Sequence, residues 1–252
     1  MSKVIGADAA KLAGLQIDTL QKARDGQITL KHWEWFNKLT KTERDRLSGV
    51  SKCLTSNRAS NALSDLFDRQ IQTLRDRGCP DQILATFIRQ KGQVLAKAST
   101  MTFKENRIPF LPIIPFSSLN PSIQMSMVKN GNQTGFINLD ANEISNVVSV
   151  PVQPYYIFDV EDGKDMLGRS VRKAIELIKD MNRSSLIAPE VISLGIQTVV
   201  LSKHFVDASG SHCKGGEGAP NLYLHGSQPE LGWFYVDGSD ERWGSASCGS
   251  RS

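Results

Sequence analysis

The residues best suited to chemistry lie in two stretches, an acidic one in the middle of the chain and a small-residue one in the tail. Asp159, Glu161 and Asp162 close the apolar run Tyr155–Val160. Since side chains alternate along a strand, Asp159 and Glu161 are predicted on one face, roughly 6–7 Å apart. Two such carboxylates predict a site for a cation or a polar ligand, or else ion pairs with nearby bases such as Arg169.

The tail stretch is Trp243-Gly-Ser-Ala-Ser-Cys-Gly-Ser-Arg-Ser252. Small residues expose backbone N–H groups that can bind an anion, and Arg251 adds a bidentate donor for a phosphate or carboxylate. Ordered packing and a mobile terminus are the alternatives. If the tail meets the acidic strand end, the ligand-binding residues are predicted to be Asp159, Glu161, Asp162, Arg169, Ser247, Cys248 and Arg251.

The cysteines Cys53, Cys79, Cys213 and Cys248 are scattered without CxxC spacing, which favours reduced thiols. A nucleophile and base pair would need Cys248 close to a histidine, and nothing in the spacing brings them together. No metal site is predicted, and the pattern identifies no cofactor.

Composition favours a folded protein with a sizeable core, since 40% of the 252 residues are hydrophobic and 22% are charged. No apolar run reaches about 18 residues and no signal peptide is visible, so a cytoplasmic protein without a membrane span is expected. Residues 1–107 carry a charge balance of +8 and residues 108–252 one of −4. This asymmetry supports two modules.

The elements that must position these residues are predicted from hydrophobic periodicity. An N-terminal helical module covers residues 1–55, and an α+β domain covers 56–252, helical over 56–107 and containing a sheet over 108–252. We expect a mostly antiparallel sheet with two or three packed helices. The segments predicted in order are helices at Asn61–Leu74 and Pro80–Lys97, an edge segment at Ile108–Pro115, strands at Phe136–Leu139 and Asn146–Val152, helices at Val171–Met181 and Pro189–Leu201, and a hairpin of Asn221–His225 with Leu231–Val236.

Residues 60–251 resemble an uncharacterised bacterial family that is classed as a domain of unknown function. The resemblance is carried by Ile157-Phe-Asp-Val-Glu-Asp-Gly163 and Gly244-Ser-Ala-Ser-Cys-Gly-Ser-Arg251, together with Phe110-Leu-Pro-Ile-Ile-Pro115. Residues 11–47 look like a short helical module found at the start of other bacterial proteins. Neither resemblance implies an activity.

The function expected from these patterns is the binding of a small polar or anionic ligand at the acidic strand end and the tail. One alternative is a nucleic-acid-associated protein that uses the basic N-terminal helices, although acidic residues alternate with the basic ones there. The other is a hydrolase or transferase that uses Cys248 or the carboxylates. The sequence does not decide whether the protein is an enzyme, and it leaves the oligomeric state open.

Overall fold

The chain divides into two units, Met1–Arg58 and Ala59–Ser252. The computed structural model describes residues 61–252. The predicted N-terminal module, residues 1–55, therefore lies outside the described residues. Among the helices of the described part, none is both long enough and apolar enough to cross a membrane.

The second unit is α+β, as predicted, and its sheets are mostly antiparallel. Within residues 61–252 the helices are α1 (61–76), α2 (Asp81–Ser99), α3 (Pro121–Met127), α4 (Val171–Asp180) and α5 (Ala188–Gln197). The strands are β1 (Ile108–Ile113), β2 (Lys129–Asn130), β3 (Gln133–Thr134), β4 (Phe136–Ile137), β5 (Ser145–Asn146), β6 (Tyr155–Val160), β7 (Ser184–Ser185), β8 (Phe205–Asp207), β9 (Ser211–His212), β10 (Gly218–His225), β11 (Gln228–Tyr235), β12 (Trp243–Ser245), β13 (Ser247–Cys248) and β14 (Ser250–Arg251).

The acidic stretch forms the central strand of a three-stranded sheet with the order β1-β6-β14. The proline-containing β1 takes an edge, as expected, because proline lacks the donor that a central strand needs. Both faces of β6 are covered, since Tyr156 packs against Phe67 and Phe87 of α1 and α2, while Tyr155 donates a hydrogen bond to Glu190 of α5. This double burial explains why β6 is apolar except at Asp159, which is only half-buried.

Helix α5 lies between the two main sheets, and every one of its residues except Gln197 is buried. On one side Ser193 donates to the carbonyl oxygen of Pro112 in β1, at 2.5 Å. On the other side Gly195 faces Leu222 of a five-stranded sheet, whose order is β12-β8-β10-β11-β4. The approach is so close that a Cβ atom on Gly195 would lie 2.5 Å from the Leu222 side chain. A helix that is apolar all round is expected at such a position.

The tail is an ordered part of the fold. Strand β12 runs parallel to β8, β13 pairs with β7, and β14 completes the sheet of β6. Three short strands thus join the end of the chain to both sheets, which satisfies backbone groups that burial would otherwise leave without partners.

One predicted strand is wrong. Residues 146–152 pair only at Asn146, through β5, and the remaining residues are irregular. Val147 and Val152 are 52% and 72% exposed, so the apolar pattern there does not mark a buried face. The closely following Pro151 and Pro154 remove the donors that a longer ladder would require.

The first testable consequence concerns the only charged residue of α5, Glu190, which binds Arg251 by two hydrogen bonds of 2.7 Å. Arg251→Met leaves the fully buried Glu190 carboxylate without its cation, which we expect to destabilise the fold by roughly 3–5 kcal/mol. Arg172, whose partner Asp237 is exposed, provides the control Arg172→Met, which should change stability little. Urea unfolding followed by circular dichroism measures both, and equal stabilities for the two variants would contradict the assignment.

Candidate functional site

The acidic strand end is fixed against the tail by backbone contacts. The Glu161 N–H donates to the Ser247 carbonyl oxygen at 2.8 Å, and the Ser247 N–H donates to the Glu161 carbonyl oxygen at 3.1 Å. Gly163 follows with φ +105°, and a Cβ atom there would lie 2.6 Å from the Gly244 carbonyl oxygen. Only glycine fits both the left-handed backbone and this close approach. The two stretches singled out from the sequence therefore meet.

Beside this junction lies a cleft of about 650 Å³. Its floor is the strand end with the turn that follows, and its walls come from residues 104–108, which precede and enter β1, and from 198–204, which connect α5 to β8. The basic residues that line it are Lys104, Arg107, Lys164, Lys203 and His204. The acidic residues that line it are Glu105, Glu161, Asp162 and Asp165.

Glu161 is the most buried acid of the cleft, with 5% of its surface exposed. One carboxylate oxygen accepts a hydrogen bond of 2.9 Å from the backbone N–H of Asp165. Burial raises the pKa of Glu161, and that N–H only partly opposes the effect. Among residues 61–252 no basic side chain forms an ion pair with Glu161.

Asp162 and His204 form the second charged contact of the cleft. The His204 Nε2 atom lies 3.6 Å from the Asp162 carboxylate, which is an ion-pair contact longer than a hydrogen bond. Burial alone would lower the pKa of His204, but Asp162 and the Phe205 carbonyl oxygen outweigh it, so the pKa is raised. Burial alone would raise the pKa of Asp162, yet His204 and the Lys164 N–H outweigh it, so this pKa is lowered. The pair is therefore stabilised in its charged form.

Two cleft residues hold buried nitrogen atoms without a hydrogen-bond partner within the described part of the chain. Arg107 donates from Nη2 to Asp165 at 2.9 Å, but its Nη1 has no acceptor. His204 Nδ1 contacts the Phe205 carbonyl oxygen, whereas Nε2, which lies 3.6 Å from the Asp162 carboxylate, has no hydrogen-bond partner among residues 61–252. The two side chains are only 7% and 5% exposed. A buried donor left unpaired costs about 1–3 kcal/mol, so two at one cleft call for an explanation.

The remaining predicted site residues lie outside this lining. Asp159, at φ +52°, pairs with Arg183, which also donates from Nε to the Ser247 hydroxyl at 2.9 Å. Arg183 thus joins the strand end to the tail. Asp159 and Ser247, which the sequence predicted to bind a ligand, bind Arg183 in the structure. Arg169 is exposed on the turn before α4.

Arg251 and Cys248 are part of the core. Besides Glu190, the Arg251 guanidinium binds the Ser184 hydroxyl at 2.5 Å and the Ser185 carbonyl oxygen at 2.8 Å. Cys248 is fully buried, and this burial raises the pKa of its thiol to about 12. A nucleophilic thiol needs the opposite shift. The hydrolase or transferase role predicted for Cys248 stays a prediction that this environment does not favour.

Sequence reasoning missed Arg107 as a cleft residue, and it considered His204 only as a base for Cys248 or as a metal ligand. Both flank strands that are remote from β6 in the chain, so only the fold brings them to its end. Glu190 offered a clearer signal, because a lone charge within the apolar segment Leu186–Ile196 must be paired when it is buried. That signal points to a structural ion pair, and the cation that pairs with Glu190 is Arg251 of the tail.

Two further questions from the sequence concern metal ligands and nucleic-acid binding. Within residues 61–252 no three His, Cys, Asp or Glu side chains are grouped as metal ligands. The nucleic-acid alternative depends on two Arg-containing segments, Lys41–Arg46 and Arg69–Arg77, and the first lies outside the described residues. Arg69 and Arg75 are exposed on α1, where acidic neighbours interrupt them. The nucleic-acid alternative stays a prediction.

A buried acid away from the cleft, Asp207 of β8, has an unusual environment. Cross-strand pairing sets it beside Asn221 and Ser245, and the Asn221 Oδ1 and Ser245 Oγ atoms are buried without hydrogen-bond partners. Asp207 is 4% exposed, and burial raises its pKa to about 7. Burial therefore favours the protonated, neutral form of this carboxyl.

This environment predicts a dependence of stability on pH. The unfolded chain releases the Asp207 proton near pH 4 and the folded protein near pH 7, so the free energy of unfolding falls as pH rises between these values. Asp207→Asn should abolish this fall and be more stable than the parent at pH 8 by roughly 2–4 kcal/mol, with the difference vanishing below pH 4. Urea unfolding across this range tests it, with the exposed Asp180→Asn as control. Parallel curves for Asp207→Asn and the parent would contradict it.

Comparison with known proteins adds the family but no chemistry. The sequence model of a family of unknown function, DUF5701, matches residues 73–252. No curated protein matches the chain, and neither does any solved structure. The predicted resemblance to an uncharacterised family is confirmed.

Proposed function

The chain belongs to the DUF5701 family, and we propose that it binds a small polar ligand with an anionic group in the cleft beside the acidic strand end. The observation that carries the proposal is a pair of buried donors, Arg107 Nη1 and His204 Nε2, that have no hydrogen-bond acceptor among residues 61–252. Both residues line the same cleft. Clefts with a few convergent polar groups and shifted pKa values are where ligand sites occur.

The chemistry of the two donors favours an anion. Arginine is always charged and presents a planar fork that fits carboxylates and phosphates. His204 is held towards its charged form by Asp162, which makes Nε2 a donor. Lys104, Lys164 and Lys203 at the same cleft add positive charge that an anion would meet on approach.

The proposal differs from the sequence expectation in the residues that perform the binding. Glu161 and Asp162 remain in the site, whereas Arg107 and His204 replace Arg251 as the groups that bind the anion. Ser247 acts by fixing the strand end through its backbone contacts with Glu161. We place this function in the cytoplasm of a bacterial cell, a location supported by the free thiols of Cys79, Cys213 and Cys248.

The proposal predicts that the full chain binds inorganic phosphate or a small carboxylate and that this binding depends on Arg107. Arg107→Met should weaken it about tenfold or more, since it removes a charge-assisted hydrogen bond of about 1.5–3 kcal/mol. Lys179→Met, an exposed cation of α4 outside the cleft, should leave binding unchanged. Isothermal titration calorimetry measures all three proteins.

Loss of folding must be separated from loss of binding, because Arg107 also pairs with Asp165. Circular dichroism of each variant makes this distinction, and His204→Gln provides a second variant that leaves the Arg107 pair intact. Binding that survives both Arg107→Met and His204→Gln would sink the proposal, as would an intact parent protein that binds neither phosphate nor any small carboxylate, with or without an amino group.

A further inference from the structure

Among residues 61–252, Arg107 and His204 each have a donor that lacks an acceptor, and the Glu161 carboxylate in the same cleft lacks a cation. Glu161 is 5% exposed, it lines the cleft, and within the described residues it has a backbone N–H for one oxygen but no ion-pair partner. Arg107 acts electrostatically on Glu161 and opposes the rise of its pKa, but the hydrogen bond of Arg107 goes to Asp165 instead. A buried carboxylate without a paired cation is unusual in proteins.

The acid and the donors belong to one constellation. Arg107 acts electrostatically on Glu161, Glu161 acts on His204, and all three residues line the same cleft. They come from three separate places in the chain: the approach to β1, the end of β6 and the approach to β8. The fold thus sets two donors without acceptors beside one acid without a cation.

Resting on the proposed function, we propose that the ligand is a small zwitterion, with its anionic group on Arg107 and His204 and an ammonium group on Glu161. An anion alone would satisfy the donors but would add a second negative charge close to Glu161, which costs energy at a site of low dielectric. An ammonium group on the same ligand removes that repulsion and supplies the missing cation. The chemical class is an amino acid in the broad sense, with either a carboxylate or a phosphate as its acid.

The test compares pairs of ligands that differ only in the amino group. Glycine, β-alanine, 4-aminobutyrate and 5-aminopentanoate are titrated into the full chain, as are acetate, propionate, butyrate and pentanoate, with inorganic phosphate as the amine-free reference. At least one amino acid should bind about tenfold more tightly or better than its amine-free partner, as expected for one charge-assisted hydrogen bond. The series varies the distance between the two charges, which covers the unknown spacing of the groups.

Glu161→Gln isolates the proposed contact. Glutamine retains the oxygen that accepts from the Asp165 N–H but has no charge, so the gain from the amino group should disappear while phosphate still binds. Glu105→Gln, which changes an exposed acid of the same cleft, is the matched control and should keep the gain.

The outcomes separate the two proposals. Phosphate binding without any preference for an amino group overturns the zwitterion and leaves the anion site standing. A preference that persists in Glu161→Gln, or that is lost in Glu105→Gln instead, overturns the role of Glu161. Failure of phosphate and of every ligand in the series to bind the parent protein overturns the proposed function itself.

Discussion

The buried contact between Glu190 and Arg251 is the interaction on which the rest of the second unit depends. Glu190 sits in the first turn of α5, fully buried, where it accepts from the Ile187 N–H, the Tyr155 hydroxyl and the Arg251 guanidinium. One carboxylate therefore joins the central helix to β6 and to the tail strand β14. Since an unpaired charge there would be costly, the tail must be in place for α5 to be buried.

The order of the tail decides the geometry of the cleft. With β14 held by Arg251, Ser247 is positioned to pair with the backbone of Glu161, and Gly244 closes on Gly163. The strand end and its turn are thereby rigid, and Arg183 adds a second connection through Asp159. Rigid elements of this kind are what a binding site needs, because they hold charged groups in place before the ligand arrives.

Arg107 and Arg251 differ in their hydrogen bonding, and the proposed function gives them opposite roles. Arg251 has an acceptor for each of its three guanidinium nitrogens, and burial beside Glu190 fixes it as a structural cation. Arg107 is nearly as buried, yet one of its nitrogens has no acceptor among the described residues. A structural pair and a ligand site can be told apart by this difference in hydrogen-bond satisfaction.

Much of this fold could be predicted from the sequence, because periodicity and capping are local. The Ser170 cap of α4, the apolar α5 and the edge position of β1 all follow from a few neighbouring residues. The meeting of the acidic stretch with the tail was only a hypothesis from the sequence, and the backbone contacts between Glu161 and Ser247 are what bring the two together. What could not be predicted is which cation pairs with which acid, since Arg107, Arg183 and Arg251 differ only through contacts between remote segments. The strand predicted over 146–152 was wrong because a local apolar pattern does not show whether the side chains are buried, and Val147 and Val152 are exposed.

The most direct test is a titration of the full chain with inorganic phosphate, followed by the arginine Nε–Hε signals in a two-dimensional nitrogen–proton NMR spectrum. The Arg107 signal should move with phosphate concentration, while the Arg251 signal, which is held by Glu190, should stay in place. Movement of Arg251 with an unchanged Arg107 would contradict the account, because it would make the tail arginine the anion-binding group and the cleft arginine the structural one.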